Sequence, residues 1–257
     1  MTCFSYPTEY PRISVSLSNG DVAIIALSNN FQSHQIVWQS NVHPLEAWTV
    51  AYSPQFREDL PCFLYSGGDD STLSIRKLVR RDTNPSYDPV ARDLKSHGAG
   101  VTAILPLPIA QNIDGNLLLT GSYDEYLRVY DTVNRPHVLA EEKLGGGVWR
   151  LKLMSFSESC KPSAGGNATS SEVRVTVLAS CMHAGVRVLR ATRDAEGRWS
   201  IKVLAKFEEH ESMNYASDVQ PISRTADGDE TDEITCLSTS FYDRKLCVWK
   251  YRERVGG

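Results

Sequence analysis

The sequence has no excess of positive charge, with 27 Lys and Arg against 31 Asp and Glu and a net charge of −4. A chain without a basic footprint is a poor match for phosphate backbones, which excludes nucleic acid as the main ligand. Long hydrophobic runs are also missing: no stretch approaches 18 apolar residues, so no membrane helix is expected. The opening MTCFSYPTEYPRIS has no basic segment leading into an apolar one, so no secretory leader is expected either. Cysteine is sparse. The six residues, at 3, 62, 160, 181, 236 and 247, form no CxxC pair and no metal-finger spacing. They fit buried free thiols in a reducing, cytoplasmic compartment, where the sequon Asn167-Ala168-Thr169 is incidental. No GxSxG elbow and no HExxH helix occur, so neither a hydrolase nucleophile turn nor a zinc protease motif is present. No metal and no cofactor are expected.

What the chain does have is a repeat. LLLTGSYDEYLRVYDT, Leu117 to Thr132, alternates apolar and polar residues on both sides of a Ser-Tyr-Asp-Glu turn, the pattern of a β-hairpin. Centred on Asp124, it recurs as FLYSGGDDSTLSIRKL around Asp70, VLASCMHAGVRVLR around His183 and LSTSFYDRKLCVWK around Asp243. A weaker copy, SVSLSNGDVAII, surrounds Asn19. The anchors are 51, 54, 59 and 60 residues apart, slightly more than the roughly 40 to 50 residues of a propeller blade. With 41% hydrophobic residues the chain can bury a core without disulfides or metals. The reading is all-β: one β-propeller domain over residues 1–257.

A blade has four strands, a to d from the channel outward, and its d–a and b–c connections share one rim. Strand d of the first blade is expected near Gln35 to Gln39 and strand a of the second at Ala47 to Tyr52. The third blade starts with Val101 to Leu105, and the fourth, after Leu144-Gly145-Gly146-Gly147, with Val148 to Leu153. Polar stretches near 156–172 and 225–233 read as a–b insertions. No inner strand is evident ahead of the hairpin around Asn19, which gives about four and a half blades. The expected arrangement is an incomplete ring, an open arc lacking upstream blades.

The repeats resemble WD-repeat propellers, in which a His of the d–a loop bonds an Asp of the b–c turn, supported by a Ser or Thr of strand b and a Trp of strand c. The third blade offers His97, Ser122 and Asp124, with Tyr130 in the Trp place. The fifth offers His210, Asp243 and Trp249. The second offers His43 and Asp70, spaced 27 residues like His97 and Asp124, with Arg76 in place of the aromatic. These are structural roles. The fourth blade breaks the rule, because Gly147 stands where a His belongs and His183 stands in the Asp position. That exchange has two readings, decay of a stabilising network or a site, since local inconsistencies of this kind often mark function.

Several strings are more specific. HPLEAW (43–48), GGDDS (67–71), TGSYDEYLRVYD (120–131), GGGVWRLK (145–152), CMHAGVRVL (181–189), HESMNYASD (210–218) and SFYDRKLCVWK (240–250) resemble the diphthine methylesterase family of diphthamide biosynthesis, over roughly residues 40 to 251. The chain departs from that family near Ala216 and Val219, where a Gly and a Trp are usual, and in the further N-terminal blades the family usually has. The resemblance implies an esterase whose protein substrate is eukaryotic translation elongation factor two. The hydrolysed group is the methyl ester of an intermediate that also carries a trimethylammonium group. Neither a membrane nor nucleic acid enters this reading.

The residues themselves nominate the site. Trp48 and Trp149 both fall at the start of a strand a, where two indoles could cage the ammonium group or pack between blades. His183 or Glu46 could activate water as the general base. Arg150, or the amides of Gly145, Gly146 and Gly147, could hold the oxyanion, and Ser212 is a possible nucleophile. Two competing readings stay open: a noncatalytic WD-repeat scaffold for protein interaction, and a metal-dependent hydrolase using His43, His97 and His183.

Overall fold

A computed structural model describes residues 2–4, 11–54, 62–79, 85–109, 117–132, 136–162, 169–220 and 233–252. Their nineteen strands form five antiparallel sheets in which each strand pairs with its neighbour in sequence. This is the meander expected when every connection is a hairpin turn or short loop. The chain divides into two compact units, Met1–Lys143 and Leu144–Gly257.

The first unit holds three sheets. They are β1 (Thr2–Phe4), β2 (Arg12–Ser16), β3 (Asp21–Leu27) and β4 (His34–Asn41); β5 (Ala47–Tyr52), β6 (Phe63–Gly68), β7 (Leu73–Val79) and β8 (Ser86–Asp93); and β9 (Val101–Pro106), β10 (Leu117–Ser122), β11 (Tyr126–Asp131) and β12 (His137–Lys143). The second unit holds two: β13 (Arg150–Pro162), β14 (Thr169–Ser180), β15 (Val186–Arg193) and β16 (Trp199–Phe207), then β17 (Asn214–Val219), β18 (Glu233–Ser240) and β19 (Lys245–Arg252).

Sheets stacked face to face bury both sides of their middle strands, which is why β10 reads LLLTGS and is buried at every position. The first and second sheets share a core of Val22, Ile24, Val50, Tyr52 and Leu64. The second and third share Tyr65, Leu73, Ile75, Leu118 and Tyr130. In the second unit Leu178, Val186 and Val188 meet Cys236 and Tyr251. Each fully buried Leu or Ile stabilises by roughly 1.5 to 3 kcal/mol.

The five hairpins fall at the expected anchors, and the register is more exact than the sequence pattern. The pairs Gly67↔Leu73, Gly121↔Leu127 and Ser180↔Val186 lie symmetrically about Asp70, Asp124 and His183, which justifies equating those three positions. Four of the turns place a left-handed residue next, Gly20, Ser71, Glu125 and Arg244.

Three expectations are corrected. The first sheet does have an inner strand, β1, whose three residues are too few to show periodicity. The stretch near 156–172 is not an unpaired loop for most of its length, because β13 and β14 stay paired from Arg150↔Ser180 out to Pro162↔Thr169 and lengthen the a–b hairpin. A hairpin arm is held by backbone pairing, which a polar composition does not reveal. Strand a of that sheet accordingly starts at Arg150, not Val148, and runs past Leu153. The other expected insertion, near 225–233, lies outside the described residues up to the start of β18 at Glu233.

The histidine networks hold the d–a loops to strand b, with one complete case. His43 is fully buried, with Nδ1 2.9 Å from Asp70 Oδ1 and Nε2 2.8 Å from Ser66 Oγ. A carboxylate can only accept, so Nδ1–H donates to Asp70 and the neutral ring accepts the Ser66 hydroxyl proton at Nε2. Arg76, in the aromatic place, donates to Tyr87 O and lies over the Trp38 ring instead.

In the third sheet the strand-b partner is Thr120, 3.0 Å from His97 Nε2, and not Ser122. A bulge between Gly121 and Ser122 turns Ser122 to the loop, where it donates to Ala99 O and accepts from Asp124 N–H. The expected His97–Asp124 bond is absent. Buried Arg128 and the Gly98 amide occupy the carboxylate, whereas the residue equivalent to Arg128 in the second sheet is Ser74. His97 Nδ1 is left without a hydrogen-bond partner among the described residues, and Tyr130 stacks on the ring while bonding Asp93.

In the fifth sheet Trp249 Nε1–H donates to Ser238 Oγ, which lies 2.8 Å from His210 Nε2. The hairpin closes one residue tighter, at Ser240↔Lys245. Asp243 therefore accepts from Ser240 Oγ and Glu211 N–H, while His210 Nδ1 faces Cys247 Sγ at 3.9 Å.

Two expected outcomes follow. Asp70→Ala leaves the buried His43 Nδ1–H unsatisfied and should cost about 1 to 3 kcal/mol in urea unfolding, whereas Asp243→Ala should cost less than about 1. Burial, reinforced by the Arg128 charge, pushes the His97 imidazole down to about 4 from 6.5. Below pH 6.5 the unfolded chain takes up a proton that the folded chain refuses until about pH 4, so stability is full above this window and falls through it. The loss should reach on the order of 3 kcal/mol, and His97→Gln should flatten the fall in urea midpoint between pH 7 and pH 5.

Candidate functional site

The fourth sheet has no network of this kind. Four residues before its anchor, where Ser66 and Thr120 stand in the second and third sheets, it has Ala179. Its b–c turn is held by other means. Cys181 N–H bonds Gly185 O at 2.7 Å and Gly185 N–H bonds Met182 O, with Met182 left-handed at φ 45°. Met182 and Asn214, at the head of β17, exchange two backbone bonds of 3.1 and 3.0 Å. Buried Asn214 then donates to Thr239 O at 2.7 Å and to Ala216 O, and Ser180 and Ser217 join their hydroxyls at 2.8 Å. The turn's backbone is thus fixed to the next sheet while the His183 side chain is exposed.

The glycine loop passes beneath this turn. A Cβ on Gly146 would lie 2.2 Å from Cys181 O and 2.9 Å from the Ala184 methyl, and Gly145 is left-handed at φ 84°. Gly146 and Gly147 are buried, so close backbone approach accounts for the loop without any ligand.

Three connections of the second unit, 181–185, 210–213 and 241–244, come together around a depression of about 360 Å³. It is lined by His183, His210, Glu211, Ser212, Met213 and Tyr242. Ser212 Oγ accepts the Tyr242 N–H at 3.1 Å and Met213 O accepts the Phe241 N–H at 3.0 Å, which stitches the d–a loop to the b–c turn. His210 is committed to Ser238 at Nε2, and burial chiefly lowers its pKa, so it sits in the wall as a neutral ring. His183, Glu211 and Tyr242 are the exposed ionisable side chains of this lining.

The other nominated residues are dispersed. Arg150 is exposed at the start of β13, paired in register with Ser180, and makes no ion pair among the described residues. Trp149 is half-buried, with its amide bonded to Ser180 O and its ring edge-on to Tyr215 at 5.2 Å. Trp48 and Glu46 belong to the first unit, where the Trp48 Nε1–H donates to Glu46 Oε2 at 3.3 Å. The Trp48 indole lies against Gly100, where a Cβ would come within 2.4 Å of Cζ3, and its ring centroid is 6.2 Å from that of Tyr123. Trp48 is therefore a wedge between the second and third sheets, the packing role that the sequence left open beside the cage. His43 and His97 are buried in their own networks, apart from one another. Glu211, Met213 and Tyr242 were not singled out from sequence; the signal available was Phe241-Tyr242, two aromatics in a turn otherwise built of small and polar residues.

Blades of this construction, with a buried His tied to a strand-b hydroxyl, define a WD-repeat protein of the β-propeller type. The family model "WD domain, G-beta repeat" matches residues 89–131, which contain the His97 network. Within that class, the chain is similar to the diphthine methyltransferase of Schizosaccharomyces pombe, with 33% identity over 97% of this chain and 64% of that protein. It is similar also to those of mouse, 31% identical over 80% of the chain, and human, 29% over 80%. The chain spans 37% and 39% of the mouse and human proteins. The family resemblance seen in the seven strings thus extends along nearly the whole sequence.

Asn214 is the residue on which the site's geometry turns. Asn214→Ala should lower stability by about 1 to 3 kcal/mol by removing the buried amide that donates to both the Thr239 and Ala216 carbonyls. It should also speed hydrogen exchange at the Cys181–Gly185 amides, which Ser212→Ala should leave slow.

Proposed function

We propose that this chain acts in diphthamide biosynthesis, hydrolysing the methyl ester of methylated diphthine on eukaryotic translation elongation factor two with release of methanol. The observation that carries the reading is His183. In a chain similar to diphthine methyltransferases, the one anchor position of the second unit that departs from the Asp pattern bears an exposed imidazole on a rigid turn, beside an open depression. The relatives are named for methyl transfer; the hydrolytic form of the reading comes from the family resemblance in the sequence.

In the proposed reaction His183 takes a proton from water as the oxygen attacks the ester carbonyl. The C=O electron pair moves onto oxygen, and in this reading the exposed Arg150 guanidinium, which lies outside the lining of the depression but on the strand paired to Ser180, reaches over to stabilise that charge. Collapse of the tetrahedral species breaks the C–OCH₃ bond, and the imidazolium returns its proton to the departing methoxide. The products are methanol and a carboxylic acid, which ionises to the carboxylate by releasing its proton to solvent. Elongation factor two, as a protein, presents its modified side chain to the exposed rim rather than entering a closed cavity.

Methanol release from the methylated intermediate on elongation factor two tests the reading directly. His183→Ala should reduce turnover by roughly 10²- to 10⁴-fold, the usual range for a general base, with an unchanged circular dichroism spectrum. A folded His183→Ala variant that releases methanol at the normal rate would place the base elsewhere. A noncatalytic platform is the second reading, favoured by the exposure of Phe241 and Tyr242; it expects binding of the factor with no methanol released.

A further inference from the structure

Phe241 and Tyr242 are 66% and 71% exposed, an unusual placement for two adjacent aromatic rings in a turn. Folding gains little from them. Their backbone is nonetheless fixed, since both amides are bonded across the rim to Met213 O and Ser212 Oγ. The rings themselves are arranged edge to face. Phe241 and Tyr242 have centroids 5.1 Å apart at an interplanar angle of 89°. Tyr215 and Phe241 follow at 6.0 Å and 73°, and Trp149 closes on Tyr215 at 63°.

Rings at right angles present π faces in different directions, so a compact cation set in such a corner meets more than one negative face. Tyr242 also lines the depression, together with the exposed carboxylate of Glu211 and the thioether of Met213. Of the two neighbouring cations, Lys245 at the head of β19 donates to Glu209 O, and Arg244 occupies the left-handed position of the turn. We infer that Phe241, Tyr242 and Glu211 form a recognition site for an alkylated ammonium group, with Tyr215 and Trp149 bracing the rings from behind. A bare ammonium ion is strongly hydrated and gives up its water reluctantly; methyl groups weaken that hydration, so ring faces discriminate in favour of the alkylated form. This takes the cage away from Trp48, which is spent on Gly100. It deepens the esterase reading, on which it rests for the natural ligand but not for the existence of the site.

The experiment uses choline and its uncharged isostere 3,3-dimethylbutan-1-ol, observed by saturation-transfer NMR on the intact chain. Choline should bind and the neutral alcohol should not. Phe241→Ala and Tyr242→Ala, both at exposed positions, should each weaken choline binding about 2- to 30-fold, Tyr242→Phe should keep most of it, and Glu211→Gln should weaken it. Equal binding of the two probes, or undiminished choline binding by folded Tyr242→Ala, overturns the inference and leaves these rings as a surface for protein contact. Choline selectivity without methanol release would sink the esterase reading alone. Methanol release without choline selectivity would sink only this site.

Discussion

A buried imidazole that must stay neutral has one donor and one acceptor, and they point in opposite directions. That constraint organises three of the five sheets. The ring hangs from the d–a loop, finds a hydroxyl on strand b, and so ties a loop to a strand it does not adjoin in sequence. Ser66, Thr120 and Ser238 supply that hydroxyl in the second, third and fifth sheets, always at Nε2. The other nitrogen is where the blades differ: Asp70 takes it in one, nothing among the described residues in the next, a cysteine sulfur in the last. The strand-b contact is the common element, and the acidic residue is free to serve the turn itself.

The fourth sheet shows what happens without the ring. Its turn is stitched to β17 by backbone bonds through Met182 and Asn214, a connection that asks nothing of the side chain at the anchor. The anchor position is thereby released from structural duty, and His183 occupies it facing solvent. Rigid backbone with an uncommitted side chain is the condition a catalytic group requires.

The hairpins were legible because turn residues and two-residue alternation mark them in sequence, and the third-blade copy is clear enough to find the others. The details lost were those decided by three-dimensional competition. Whether Asp124 bonds His97 depends on Arg128, a residue whose reach cannot be seen in a string, and whether Ser122 or Thr120 meets the ring depends on a bulge. The site was half legible. His183 stood out as an exception to a repeat, yet its neighbours Glu211 and Tyr242 come from another sheet and converge only through the fold. Trp48 and Trp149 look equivalent in sequence because both open a strand a, but one is covered by Gly100 and Tyr123 and the other by Tyr215.

The outermost strand of the fifth sheet, β19, pairs only with β18 among the described residues, and Leu246 and Val248 on it are each 64% exposed. An edge of this kind invites another strand. Lys250 and Arg252 share that exposed face, both ion-paired to the single carboxylate of Glu233 on β18, so positive charge is left over, and Lys245 stands at the strand's start. Two copies meeting edge to edge would bring these cations together. Such a guard is electrostatic and so only as strong as the solution allows, because at molar salt the screening length shrinks to about 3 Å. Screening of that charge is what would let two such edges approach.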